Sequence, residues 1–138
     1  MAKLRHLALA TADPEATATF YREAFGFREV AHVDTRFAAG IFLTDGTLNL
    51  AVLRFKDDQL GRGTDYVGLH HIGFVVEDLD ETLRRLDALG ARCLVGKPDE
   101  PQAFFEVKYV GPDGVVLDIS EQPWPGARGL ADEPAPDA

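Results

Sequence analysis

The sequence predicts an α+β chain in which one βαβββ module is used twice. Three observations carry that prediction. Apolar and polar residues alternate with period 2 along several stretches, as half-buried strands require. Two other stretches carry a helical apolar stripe behind an Asp cap. And "LRHLALATADPEAT" lies over "LHHIGFVVEDLDET", as "LTDGTLNLAVL" lies over "VGPDGVVLDIS", at an offset near 65 residues. An offset that long is too coarse for a solenoid unit and reads as a duplicated module.

In the first copy, residues 4–10 alternate: Leu7 and Leu9 share one face, while His6, Ala8 and Ala10 share the other. Asp13 then offers an N-cap, Pro14 suits the first helical position and Glu15 the first turn. Phe20, Ala24 and Tyr21 give this helix its apolar stripe, and Gly26 stops it. Strands are expected in "REVAHVD", "RFAAGIFLT" and "TLNLAVLRF", the last two joined by a hairpin turn at Asp45–Gly46. The second copy opens with "GLHHIGFVV", where His71, Gly73 and Val75 alternate with Ile72, Phe74 and Val76. Asp78 caps a helix running to about Leu89, with Leu79, Leu83, Leu86 and Leu89 as its buried stripe and Gly90 as its end. "RCLVG", "FFEVKYV" and "VVLDIS" follow as strands, with "GPDG" as a turn. Module 1 therefore covers about 4–55, a linker 56–67, and module 2 about 68–122. The remainder, 123–138, is rich in Pro, Gly and acid and is expected to be a flexible tail.

The bulk numbers narrow the function classes. A chain of 138 residues is one domain's length, sufficient for a real core. A net charge of −9 argues against a phosphate-tracking surface and hence against nucleic acid. The single Cys93 can form no internal disulfide, and no zinc-type Cys pair exists. The first residues lack a signal peptide's apolar run, and no stretch approaches the ~18 apolar residues of a membrane span. A cytoplasmic protein with no membrane association is the expectation.

The informative residues are polar side chains at unusual positions. In both copies the bulky face of the helix-preceding strand should pack on the helix. The opposite face then carries His6 beside Ala8 and Ala10, and His71 beside Gly73. The last strand of each copy behaves alike, placing Asn49 between Thr47 and Ala51, and Asp118 between Val116 and Ser120. Four matched positions thus carry ligand-type groups among mostly small neighbours, which leave room that a filled core does not want. Two histidines and one carboxylate can hold a divalent metal and leave positions open for substrate. Asn49 could add a neutral oxygen or hold a metal-bound water. Alternation sends His70 to the other face from His71, where it reads as a structural histidine. Glu106 and Lys108 share one strand face, expected to be the face of Asp118. There Glu106 could act as general base and Lys108 could neutralise an anion. Arg5, Arg36 and Arg54 are further candidates for anion contact, with nothing to single one out.

With these motifs in hand, the chain resembles the vicinal oxygen chelate superfamily, which holds glyoxalase I, methylmalonyl-CoA epimerase, extradiol dioxygenases and the bleomycin and fosfomycin resistance proteins. The resemblance rests on "LRHLALATADPEATATFYREAFGF", "GLHHIGFVVEDLDETLRRLDALGA" and "GPDGVVLDIS", spanning residues 4–120. It implies a cup-shaped mixed β-sheet, a homodimer, and a divalent ion (Fe, Ni, Zn, Co or Mn) at His6, Asn49, His71 and Asp118. Two departures stand out: Asn49 where the family usually has Glu or Gln, and Asp118 where Glu is usual. Glu106 could supply the carboxylate if Asp118 is too short. A His-Pro-Lys stretch typical of the epimerases is absent, which argues against a true methylmalonyl-CoA epimerase.

The reading that follows is a metal-dependent lyase or isomerase acting on a small oxygen-rich metabolite, with an enolate-type intermediate. Glu106 is its candidate base, and Lys108 its oxyanion or carboxylate partner. An Fe(II) dioxygenase using the same triad is the second reading. A ligand-sequestering binding protein of the resistance kind is the third, and the intact His, His, Asp set counts against it.

Overall fold

The computed structural model describes residues 1–132. Strands β1 (Ala2–Ala10), β2 (Arg28–Asp34), β3 (Ala38–Thr44) and β4 (Asn49–Phe55), with helix α1 (Pro14–Phe25), form the first module. Strands β5 (Gly68–Val76), β6 (Arg92–Val95), β7 (Val107–Val110) and β8 (Val116–Ser120), with helix α2 (Leu79–Ala88), form the second. All eight strands join one mixed sheet in the order β2-β3-β4-β1-β5-β8-β7-β6. Within each module the helix-preceding strand pairs parallel with the last strand, β1 with β4 and β5 with β8. The modules meet along the antiparallel β1–β5 seam. This is the duplicated α+β architecture that the sequence predicts.

The helices start and stop where their capping residues say. The Asp13 carboxylate accepts from Ala16 N and the Asp78 carboxylate from Glu81 N, satisfying N–H groups that have no partner inside the helix. Gly26 takes φ 75° just past α1, where an L side chain would be strained.

On the helix side of the sheet, Ala18, Ile41, Leu43, Leu50 and Val52 form one core, and Val76, Leu79, Val107, Tyr109 and Ile119 a second. Three stripe assignments change. Phe20 is 59% exposed, Leu89 83% exposed and Ala24 exposed, while Ala18 is the buried residue of α1. α1 turns Ala18 and Tyr21 to the sheet, which leaves Phe20 off that face, and α2 ends at Ala88, so Leu89 lies beyond the stripe of Leu79, Leu83 and Leu86. "FFEVKYV" is strand only from Val107, and the β3–β4 connection is a four-residue loop in which Asp45 Oδ1 accepts from Thr47 N and Leu48 N.

On the other side, the first module's face is filled by Ala8, Ala38, Ala51 and Leu53, flanked by Val33, Phe42 and Phe55. Gly40 fits there because an added Cβ would lie 2.1 Å from Val52 O. The polar residues occupy the centre of the sheet and the second module's face.

Residues 124–128, inside the expected flexible tail, are anchored to the sheet. Trp124 is buried, Pro125 O accepts from Asn49 Nδ2, Gly126 O from Thr44 Oγ1, and Arg128 N donates to Thr47 O. Backbone carbonyls, invisible to a composition argument, pin this segment to the β3–β4 end of the sheet. The rest of the expected tail, 133–138, lies outside the described residues. No helix among the described residues is long and apolar enough to cross a membrane.

Candidate metal centre

Strand register lays the candidate residues in two adjacent rows across the sheet. Asn49 faces His6, His6 faces Gly73, Gly73 faces Asp118 and Asp118 faces Lys108. In the next row His71 lies between Ala8 and Val116. Gly73 leaves the centre open for its neighbours. A Cβ there would stand 2.8 Å from His6 Cβ and 3.0 Å from Trp124 Cη2. The room predicted beside His71 is therefore real, and the His6 ring and Trp124 occupy it.

Three ligand-type atoms converge within one chain. His6 Nε2 lies 3.0 Å from His71 Nε2, and Asp118 Oδ2 lies 3.0 Å from His71 Nε2 and 3.9 Å from His6 Nε2. His6, His71 and Asp118 are all buried, and they are the group able to hold a metal ion among the described residues. The shorter Asp118 side chain reaches the site, so Glu106 is not needed in its place.

Hydrogen bonds decide where the ring protons sit. Asn49 Nδ2 donates 2.8 Å to Pro125 O, which fixes Asn49 Oδ1 on the side of His6. His6 Nδ1 lies 2.7 Å from that oxygen and so must donate to it. The neutral His6 ring then presents a bare Nε2 lone pair to the centre. Burial, reinforced by the neighbouring His71, lowers His6 from 6.5 to about 3, which keeps it neutral. Asn49 has both ends of its amide engaged and stands behind His6, away from the three converging atoms.

Asp118 is the anionic member. Burial pushes its carboxyl up, but the adjacent His71 ring and the Lys108 ammonium outweigh this and hold it well below the usual carboxylate range. Its Oδ1 accepts from Lys108 Nζ at 2.8 Å. Its Oδ2 is buried without a well-aligned hydrogen-bond donor. A buried carboxylate oxygen with no donor is costly, and two imidazole nitrogens beside it make a cation the natural partner. Bonds of about 2.0–2.2 Å to one ion place neighbouring ligand atoms roughly 3–3.5 Å apart, close to the spacing seen. These residues fit a divalent metal.

Glu106 stands at the rim. Its Oε2 accepts 2.8 Å from Trp124 Nε1 and its Oε1 lies 3.8 Å from Lys108 Nζ. Burial, then the nearby Asp118 charge, raises its carboxyl from 4.5 to about 7. Sequence reasoning missed Trp124, whose ring stacks on His6 at 4.7 Å and 5° between planes. Only its being the single tryptophan, in a Pro-Gly context, marked it. Arg5 is buried and donates through Nη1 to Leu4 O, whereas Arg54 is exposed. Arg36 stacks on Phe37, away from the centre.

With the geometry in place, comparison with known families gives one decisive match: the model described as the Glyoxalase/Bleomycin resistance protein/Dioxygenase superfamily covers residues 3–119. The chain belongs to this superfamily. Solved members of the fold superpose over nearly the whole chain. One is a variant methylmalonyl-CoA epimerase of Streptomyces coelicolor in complex with 2-nitronate-propionyl-CoA. It has TM-score 0.68 and 22% identity, covering 86% of this chain and 95% of that one. A hypothetical protein from Bacillus halodurans C-125 gives 0.70 at 20% identity, covering 89% and 96%. The Mycobacterium tuberculosis methylmalonyl-CoA epimerase gives 0.65 at 20%, covering 88% of each chain. At these identities the likeness is one of fold. Comparison with curated proteins gives no match.

Proposed function

We propose that this superfamily member is a divalent-metal-dependent lyase or isomerase that moves a proton on a small, oxygen-rich substrate. One observation carries the reading: His6 Nε2, His71 Nε2 and Asp118 Oδ2 converge in a buried cluster, next to a second carboxylate, Glu106. His6, His71 and Asp118 would hold the metal, and Asn49 would orient His6. When bound, the metal supplies Lewis-acid stabilisation to two substrate oxygens. Glu106 is the group placed to accept a proton from the substrate carbon, since neither of its oxygens is a proposed ligand. Lys108, already neutralising Asp118 Oδ1, brings positive charge to the side where an oxyanion develops. Trp124 holds Glu106 through Nε1 and shields His6 from water.

The epimerases among the structural neighbours support a proton-transfer reaction on a thioester or related carbonyl compound. The geometry also supports a second reading. With Asn49 turned to His6 and Pro125, three protein ligands remain, the two-histidine, one-carboxylate set of non-haem Fe(II) oxygenases. A homodimer and a cytoplasmic location complete the proposal, on the family resemblance and the composition respectively.

Chelator-treated protein reloaded in turn with Zn2+, Ni2+, Co2+, Mn2+ or Fe2+ tests these readings. The assay is solvent-deuterium incorporation into a panel of 2-substituted carbonyl compounds and thioesters. Exchange supported by redox-inactive metal, and lost in Glu106→Gln, is the expected result. Turnover only with Fe2+ and O2 would move the assignment to the dioxygenase. Stoichiometric metal retained in His71→Ala would remove the metal centre altogether.

A further inference from the structure

His70 precedes a proposed ligand and, by strand alternation, should point away from it. The register shows why it does not. Ala8 pairs with His71 but the next residue, Leu9, pairs with Leu69, so His70 is the extra residue of a β-bulge on β5. Bulges break the period of 2 and re-aim a side chain. Here the two imidazoles meet, with His70 Nδ1 2.8 Å from His71 Nδ1. Phe55, from β4, stacks on the His70 ring at 3.7 Å and 6°. The ring is buried and held on two sides.

We propose that His70 is a positioning residue that sets the tautomer of His71 when metal binds: its Nδ1 accepts the His71 Nδ1 proton and so frees for a metal the His71 Nε2, which without metal donates to His6 Nε2 across 3.0 Å. The inference rests on His6, His71 and Asp118 forming the metal centre. A hydrogen bond between two Nδ1 atoms needs one donor and one acceptor. If His70 donated, neutral His71 would carry its own proton on Nε2, aimed at His6 Nε2 and Asp118, and could not ligate. The reverse arrangement puts the His71 proton on Nδ1 and the His70 proton on Nε2. The surroundings of His70 favour that arrangement. It lines a cavity of about 10 Å³ together with Asp57 and Gln59. Asp57 Oδ1 and Gln59 Oε1 are buried there without hydrogen-bond partners among the described residues. The space suits about one water molecule, and what it lacks is a donor. Each metal histidine then has an acceptor behind it, Asn49 Oδ1 for His6 and His70 Nδ1 for His71. Such outer partners commonly account for about 10–100-fold in metal affinity.

The test is Zn2+ affinity by chelator competition in two variants. His70→Asn keeps an acceptor at similar reach. His70→Phe keeps a flat ring against Phe55 and removes the acceptor. The expected result is a loss of about 10–100-fold in His70→Phe, with His70→Asn within a few-fold of the parent. In parallel, nitrogen-15 NMR of the Zn2+-loaded parent should show a slowly exchanging proton on His71 Nδ1 and none on His70 Nδ1. Parent-like affinity in His70→Phe, or a proton found on His70 Nδ1, overturns the proposal. Should His70→Phe fail to fold, the NMR result on the parent decides alone. Failure of the parent to bind Zn2+, or unchanged binding in His71→Ala, has a different signature. It removes the metal centre itself, and His70's role with it.

Discussion

At Gly73 a missing side chain does as much as a present one. The His6 ring and Trp124 both rest over its Cα, so Gly73→Ala forces one of them aside. Overpacking of this kind costs about 1–3 kcal/mol, measurable as a lowered urea midpoint, and Zn2+ affinity should fall with it because His6 moves. Protonation gives a second prediction at this scale. In metal-free protein His6 and His70 titrate near 3 and 4 instead of 6.5, while Glu106 titrates near 7 instead of 4.5. Between pH 6.5 and 4.5 the two histidines bind protons only when unfolded, and Glu106 binds one only when folded. The unfolded state therefore binds about one proton more, and stability falls by about 1.4 kcal/mol for each unit of acidification. Urea titrations of chelated protein at pH 6.5 and 5 should show that fall. A flat profile would contradict the balance of buried charge described.

At the scale of elements, regular structure was readable and exceptions to it were not. Alternation puts His6, Asn49, His71 and Asp118 on one face of the sheet, where the structure has them, because the parallel β1–β4 and β5–β8 pairings run without a register shift, and Asp13 and Asp78 cap as their spacing indicates. His70 escaped because a bulge is one residue out of step with its partner strand, and one sequence shows no partner. Phe20 and Leu89 sit at helical spacing, yet α1 turns Ala18 and Tyr21 to the sheet instead of Phe20, and α2 ends one residue before Leu89. The strap of residues 121–128 was missed for another reason: its anchoring groups are main-chain carbonyls, which carry no residue identity. Its side-chain anchor is Trp124, which combines a ring stack with a hydrogen bond to Glu106. Trp124→Phe should separate the two. Losing the indole N–H alone costs about 1.5–3 kcal/mol above pH 7, where Glu106 is ionised and the hydrogen bond is to a charged group, read by thermal or urea unfolding. Zn2+ affinity should stay near the parent value, because the stack on His6 remains.

At the scale of the whole molecule, duplication places one histidine from each module at the β1–β5 seam. The three proposed ligands then come from β1, β5 and β8 of the same chain. Such a centre does not require a second subunit. Metal stoichiometry should be one per chain, and the Zn2+ dissociation constant should not change when protein is diluted through any dimer–monomer transition. A dissociation constant that weakens on dilution would mean that a partner chain supplies part of the site.

The stack of Trp124 on His6 also gives the molecule an optical property. The chain contains a single tryptophan, and its indole lies face to face with a proposed ligand. Intrinsic emission therefore arises beside the metal centre rather than averaging over distant fluorophores of the same kind. Co2+ or Ni2+ at His6 should quench that emission strongly through their open d-shells, and Zn2+ should alter it only slightly. The protein would report its own loading without a dye, and quenching lost in His71→Ala would locate the signal at this centre.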